Sequence, residues 1–246
     1  MSAAGGTSRS RHIVVTGGTR GLGRVIAEVF LAAGDRVWIL ARTPPAWPDE
    51  TGRIRFLAVD VRQRSQLDAA AEAIQREAGA VDAWVNNAGC GTPIPFCDAD
   101  NARWEDIFAV NFWGTVHASR VAIPLLRARR GALINIASLA GLMSPPGHSA
   151  YASAKAAVIA LTRSLAVEYA AEGIRVNAIA PGPLDTDGFR AAGGDPVARA
   201  ATIPARRLIE PAEVADACLF LSRAGNSLTG QVLAIDGGAH AAGCYV

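Results

Sequence analysis

A repeated alternation limits the fold of this 246-residue chain more than any other feature: a short, almost unbroken apolar run, a turn, then a stretch with helical spacing. The first run, Ile13-Val14-Val15, ends at Thr16-Gly17-Gly18. Leu22, Val25, Ile26, Val29 and Ala33 follow on one helical face, and Gly34 is placed to end that helix. Val37-Trp38-Ile39-Leu40 is a second run, and Ile54 to Val59, stopping at Asp60, is a third. Helical spacing returns from Ser65 to Glu77, before a fourth predicted strand, Val81 to Val85, that stops at Asn86-Asn87-Ala88-Gly89. Predicted helices at Trp104–Leu126, Tyr151–Glu172 and about Pro211–Leu221 then alternate with strands at Ala132–Ile136, Arg175–Ile179 and Val232–Ile235. Strands separated by helices pair in parallel through right-handed crossovers. A parallel sheet is covered on both faces, which explains why these runs lack polar alternation.

The prediction is therefore an α/β fold: one doubly wound, Rossmann-type parallel sheet with helices on both faces. Half the residues are hydrophobic and 19% are charged, which fits a large buried core. Residues 1–10 read as a flexible tail and 11–246 as a single domain, with no linker or repeat between them. The formal net charge of +2 is interspersed, which argues against a nucleic-acid partner. Cys90, Cys97, Cys218 and Cys244 lie far apart without a CxxC pair. They are expected to be reduced thiols in a cytoplasmic protein. Met1 to Arg11 lacks the apolar segment of a secretory signal, and no apolar run approaches the roughly 20 residues of a membrane span. His12 and His117 have no companions with metal-ligand spacing, so no metal site is expected.

In such a sheet the ligand crevice lies at the carboxyl ends of the strands. The first strand ends in Thr16-Gly17-Gly18-Thr19-Arg20-Gly21-Leu22-Gly23, directly before a helix. Gly17 can take the tight turn, Gly21 lets the backbone approach a pyrophosphate, and Gly23 permits close helix–strand packing. The helix N-terminus adds free N–H groups and a partial positive charge.

The TGxxxGxG spacing resembles the short-chain dehydrogenase/reductase family in its short single-domain branch, from about Arg11 to Gly238. Further motifs stand in that family's order: Asp60-Val61, Asn86-Asn87-Ala88-Gly89, Asn111, Ser138, Tyr151-Ala152-Ser153-Ala154-Lys155 and Pro181-Gly182-Pro183. The resemblance implies that Thr19, Arg20 and Leu22 of the glycine loop help bind a nicotinamide dinucleotide. It implies that Asp60 and Val61 hold the adenine and that Asn87, Ala88 and Gly89 line the adenosine and ribose. It places Pro181, Gly182, Leu184 and Thr186 at the nicotinamide carboxamide, although Thr186 could equally cap the next segment.

An NAD site usually offers a carboxylate at the end of the second strand. Here Ala41 is followed by Arg42, and Arg20 is a second cation on the same side. A guanidinium binds a 2′-phosphate through paired, charge-assisted hydrogen bonds, so NADP(H) is the expected cofactor.

Tyr151 and Lys155 are four apart on a helix and project from one face. A free tyrosine, with a pKa near 10, is a poor acid–base group, and a nearby ammonium favours its phenolate. The resemblance implies that Tyr151 gives a proton to a carbonyl oxygen as hydride reaches carbon, while Ser138 orients that oxygen. It also implies that Lys155 grips the nicotinamide ribose and that Asn111 fixes a water that replenishes the proton.

The substrate wall is expected from Cys90, Ile94, Phe96, Ser138, Met143, His148 and Phe189, with a lid at about 184–208 that includes Ala191-Ala192-Gly193-Gly194. That wall is largely apolar, which suits a neutral ketone or secondary alcohol; Arg190 keeps charged substrates open. The pattern is most similar to 3-oxoacyl-[acyl-carrier-protein] reductases. Arg129 could receive an acidic carrier protein, but Glu172 would repel it, so that partner is in doubt. The alternatives are an NADP-linked alcohol dehydrogenase acting on a sugar, cyclitol or steroid-like ring, and a non-catalytic NADP-binding regulator. By resemblance the chain is expected to form a homotetramer.

Overall fold

Seven parallel strands form one sheet in the order β3-β2-β1-β4-β5-β6-β7. The structure is a computed structural model and describes residues 10–186, 189–190, 194–223 and 227–243. The strands are β1 His12–Thr16, β2 Arg36–Ala41, β3 Ile54–Ala58, β4 Ala83–Asn86, β5 Ala132–Ile136, β6 Arg175–Pro181 and β7 Val232–Ile235. The helices are α1 Gly21–Ala32, α2 Arg64–Ala78, α3 Asn101–Phe108, α4 Gly114–Arg127, α5 Ser149–Tyr169, α6 Pro196–Ala201 and α7 Pro211–Leu221. Residues 1–9 of the predicted tail, Ala191-Ala192-Gly193 of the predicted lid, Cys244 and the last two residues lie outside the described residues.

Alternation along each strand sends side chains to two separate cores. Ile13, Val15, Val37, Ile39, Val85 and Ile134 pack with Ile26 and Phe30 of α1 and with Val214 and Cys218 of α7. Val14, Trp38, Leu40, Trp84, Leu133 and Val176 face the other way, onto Leu67 and Ile74 of α2, Ala118 and Leu126 of α4, and Ala166 of α5. Both sheet faces are thus covered, as the unbroken apolar runs require. The chain leaves β1 toward β2 and β3 and later crosses to β4 on its other side. The strand order therefore reverses between β1 and β4, and a crevice opens there at the carboxyl ends.

Several elements differ from the sequence expectation: a helix, α6, lies inside the predicted lid, and α5 starts at Ser149 and gives way to a 3-10 turn after Tyr169. The helix predicted over Trp104–Leu126 is interrupted by a π-helical turn, Ala109–Trp113, between α3 and α4. The strand predicted over Val81–Val85 begins at Ala83. Asp82 instead accepts the His12 amide on its carboxylate at 2.9 Å, and the Val81 amide donates to Leu125 O at 3.0 Å. Among the described residues, no helix is long and apolar enough to cross a membrane.

Candidate active site

The two loops that flank the crevice are tied together by one buried hydroxyl. Thr16 Oγ1 accepts the amides of Asn87 and Ala88, both at 3.0 Å, and Asn87 Nδ2 returns a bond to Thr16 O at 3.0 Å. Gly23 explains the closeness of helix to strand: a Cβ there would lie 2.2 Å from Gly17 O. Gly21 takes a left-handed φ of +52°, and the space beside it is open. α1 has no acidic residue in its first turn, and its N-cap, Arg20, makes no side-chain capping bond. Its leading amides and partial positive charge therefore remain available to an anion. These features fit a dinucleotide pyrophosphate: the backbone can be approached closely, and no acidic side chain of the first turn of α1 competes.

Arg20 and Arg42 are exposed, and neither forms an ion pair among the described residues. Gly17 N donates to Leu40 O at 2.8 Å, so the loops bearing the two arginines leave adjacent strand ends. Neighbouring arginines are instead occupied. Arg24 pairs with Glu28 at 2.7 Å, and Arg62 grips Asp60 with its closest contact at 2.6 Å. The Arg62 hydrogen bonds hold the Asp60 carboxyl below the usual carboxylate range, with a smaller contribution from Arg42. Asp60 also accepts the Arg62 amide at 3.0 Å, so the residue expected at the adenine orders the turn after β3 as well. Val61 packs under Gly114, where a Cβ would lie 2.7 Å from Val61 Cγ2.

β5 and α5 bring the remaining groups together. Ser138, extended just past β5, accepts the Ala140 amide on Oγ at 3.1 Å, which leaves its O–H as a donor. Lys155 is buried and donates Nζ to Ile136 O at 2.8 Å. Burial pushes its pKa down to about 8, opposed by the neighbouring Cys90. Its Nζ lies 5.7 Å from the Tyr151 ring centroid. A Cβ on Gly89 would meet Asn111 Oδ1 at 2.9 Å and Lys155 Nζ at 3.4 Å, so the Asn86-Asn87-Ala88-Gly89 turn ends against the α5 group.

The π-helical turn rotates Asn111 into a position where its amide is fully engaged. Nδ2 donates to Cys90 O at 2.7 Å and Ile107 O at 2.9 Å, while Oδ1 accepts the Cys90 amide at 3.2 Å. The side chain expected to fix a water therefore pins the loop after β4.

On the substrate side, the Ile94 amide donates to Gly147 O at 2.8 Å and joins the two predicted wall segments. His148 has Nδ1 3.0 Å from Pro146 O and sets its ring edge-on to Tyr151, with centroids 6.3 Å apart. Met143 is half-buried, Cys90 is exposed, and Phe96 packs edge-on against Trp104 at 6.0 Å while remaining 64% exposed.

Pro181 pairs with Ile235, and Gly182 backs onto Asp236, where a Cβ would lie 3.0 Å from the Asp236 Cα. Asp236 accepts the amides of Gly238 and His240, so Asp236-Gly237-Gly238 is a packed turn. Leu184 bridges to Ile209 and packs on the core. Thr186 Oγ1 accepts the Phe189 amide at 3.2 Å and so caps a turn, and the Phe189 ring lies over Gly194. Two charge expectations change. Arg190 pairs with Asp185 at 2.6 Å, so it is not a free cation for an anionic substrate. Glu172 pairs with Arg127 at 2.6 Å, which offsets the repulsion expected from an isolated carboxylate.

Thr16 and Gly91 serve the site in ways the sequence does not mark. Thr16 was only a strand end, and its bridging role depends on a turn 71 residues away. Gly91 lies flat against Tyr151: a Cβ would sit 2.5 Å from Tyr151 Cδ2, so only glycine leaves the ring where it is. No local signal marks either one. Among the described residues, no group of three His, Cys, Asp or Glu side chains could hold a metal ion.

Residues 17–240 match the family model described as "Enoyl-(Acyl carrier protein) reductase". The chain is similar to the 3-oxoacyl-[acyl-carrier-protein] reductase FabG of Chlamydia trachomatis, 36% identical over 93% of this chain and 97% of that protein. It is 37% identical to the 2-(R)-hydroxypropyl-CoM dehydrogenase of Xanthobacter autotrophicus, over 93% of this chain and 98% of that one. Among solved structures, ElxO with NADP bound superposes with a TM-score of 0.88 at 30% identity, covering 94% of this chain and 98% of that one. A match of this extent, on a seven-stranded parallel sheet carrying Ser138, Tyr151 and Lys155 at its crevice, places the chain in the short-chain dehydrogenase/reductase family of oxidoreductases.

Proposed function

We propose that the protein is an NADP(H)-dependent ketoreductase that interconverts a ketone and a secondary alcohol. The observation that carries this reading is buried Lys155, set beside the Tyr151 ring and bonded to the end of β5 from which Ser138 extends, next to a glycine turn flanked by Arg20 and Arg42, which form no ion pair among the described residues. When bound, NADPH supplies the hydride that reduces the carbonyl carbon. Tyr151 gives its hydroxyl proton to the carbonyl oxygen, and Ser138 Oγ–H donates to the same atom and fixes its direction. The Lys155 ammonium favours the phenolate left behind. With a pKa near 8 it is charged at neutral pH yet can exchange its own proton.

Preference for NADPH over NADH rests on Arg20 and Arg42, which are exposed and form no direct ion pair among the described residues, although Arg42 lies close enough to Asp60 to act on its charge. ElxO, solved with NADP bound, supports the cofactor, and FabG supports the ketoreductase direction. The half-buried Ile94 and Met143, with exposed Phe96, favour a neutral and moderately apolar substrate. Arg190 and Arg127 are both engaged in ion pairs, which weakens each of them as a selector of an anionic substrate.

The test is steady-state oxidation of NADPH and NADH with a panel of acetoacetyl thioesters, quinones, cyclic diketones and keto-sugars. Turnover with kcat/KM at least about tenfold higher for NADPH is expected, since one charge-assisted hydrogen bond contributes ~1.5–3 kcal/mol. Equal use of NADH would overturn the cofactor assignment, and tight NADPH binding without any turnover would overturn the ketoreductase reading.

A further inference from the structure

The loop between β2 and β3 reads Arg42-Thr43-Pro44-Pro45-Ala46-Trp47-Pro48, and its three prolines restrict the backbone on either side of Trp47. Trp47 turns back across the chain and packs against the core face that holds α1. Its indole Nε1–H donates to Thr19 O at 3.2 Å. The other end of the loop is fastened too, by Arg53, which donates to Leu31 O at 2.7 Å.

One side chain therefore joins the two segments that carry Arg20 and Arg42, which form no ion pair among the described residues. Arg42 begins the Trp47 loop, and Arg20 follows Thr19 directly. We propose that Trp47 is a positioning residue for cofactor discrimination: its N–H bond to Thr19 O sets Arg20 and Arg42 together around the ribose 2′-phosphate. This inference rests on the NADP(H) reading above and names the residue that organises that part of the site.

The physical argument has two parts. The peptide bonds here are trans, so a peptide's C=O and the following N–H point in opposite directions. Holding Thr19 O toward the indole turns the Arg20 amide away from it and fixes where the Arg20 side chain starts. Arginine also loses much rotamer freedom on binding, so fixing its backbone in advance lowers the cost of capturing a phosphate. Arg24 lies over the Trp47 ring at 5.7 Å, but its charge is taken by Glu28 at 2.7 Å. It braces the indole and does not compete for the anion. The groove of about 410 Å3 on the outer side of Trp47, lined by Arg24, Glu28, Asp49 and Arg53, offers no rival anion site because those two arginines are bonded within the protein.

The experiment is calorimetric binding of 2′,5′-ADP and 5′-AMP, which differ only in the 2′-phosphate, to the wild type and to Trp47→Phe. The variant keeps an aromatic ring and removes the N–H donor. The expected result is 2′,5′-ADP bound about 5- to 10-fold more weakly, the value of one neutral hydrogen bond, with 5′-AMP affinity within twofold of wild type. Unchanged 5′-AMP binding and melting temperature report that the glycine turn is intact. Wild-type affinities for both ligands would overturn the proposal. So would equal weakening of both, which would make Trp47 a general brace of the adenosine site. If the wild type itself binds the two fragments equally, the NADP(H) preference fails, and this inference fails with it.

Discussion

Gly91→Ala isolates the placement of Tyr151 from everything else in the site. The added Cβ would lie 2.5 Å from Tyr151 Cδ2 and 3.1 Å from Cε2 and Cγ. Carbon atoms rest at about 3.5–4.0 Å, so the ring must retreat by about 1 Å. The loop cannot yield easily instead. Cys90 is bonded through both its amide and its carbonyl to Asn111, and Ile94 is bonded to Gly147 O at 2.8 Å. A 1 Å displacement of a positioned group costs about 100-fold in rate. At about 1.36 kcal/mol per decade, that is ~2.7 kcal/mol of barrier. Gly91 is exposed, so the fold should lose less than about 1 kcal/mol. The assay compares kcat for ketone reduction, NADPH affinity and melting temperature in wild type and variant. A hundredfold loss of kcat with affinity and melting temperature preserved is expected. A kcat within threefold of wild type would refute the claim that this contact sets the tyrosine.

Three further outcomes follow from the site. Arg42→Glu places a like charge beside the 2′-phosphate and should lower kcat/KM for NADPH by at least about tenfold, with NADH kinetics unchanged or improved. Lys155 has its pKa lowered by burial from 10.5 to about 8, so between those values the unfolded chain holds a proton that the folded one has lost. Stability should therefore rise by ~3 kcal/mol as pH increases through that window, and this rise should vanish in Lys155→Met when urea midpoints are followed with pH. Over the same range wild-type ketone reduction should decline, as the ammonium beside Tyr151 discharges. Asn111→Ala strands the Cys90 amide and carbonyl and should cost ~2–3 kcal/mol in denaturant unfolding, together with a fall in kcat as the loop after β4 loosens.

The sheet was legible because a strand buried on both faces has to be apolar along its length. Val14 and Ile13 point to different cores, yet neither meets water. The boundaries of α7 and β7 also agree with the apolar spacing, α7 through the face that buries Val214, Ala215, Cys218 and Leu221, and β7 as a half-buried edge strand. The π-helical turn was invisible: one turn wound by an extra residue leaves Ile107, Asn111 and Thr115 in ordinary helical spacing. Tyr151, Lys155 and Ser138 were legible as a spaced motif, and so was the glycine turn. The pairing of charges was not. Arg127 and Glu172 lie 45 residues apart, so their ion pair depends on how the end of α4 meets the turn after α5. Asp185 and Arg190 are close in sequence, but their contact depends on the local fold of an irregular segment. Trp47 and Gly91 carry no local signal, because a loop tryptophan and a loop glycine are commonplace until their tertiary neighbours are known.

The central claim is that Tyr151 is the proton donor of a nicotinamide-linked carbonyl reduction. It is tested most directly by a single turnover of NADPH-loaded enzyme with an accepted ketone, comparing wild type with Tyr151→Phe. Loss of one hydroxyl should slow the step by about 10²–10⁴-fold while NADPH affinity stays within about twofold, because general acid catalysis is removed and binding is not. A variant that turns over within tenfold of wild type would contradict the account and move the proton to another group at the crevice.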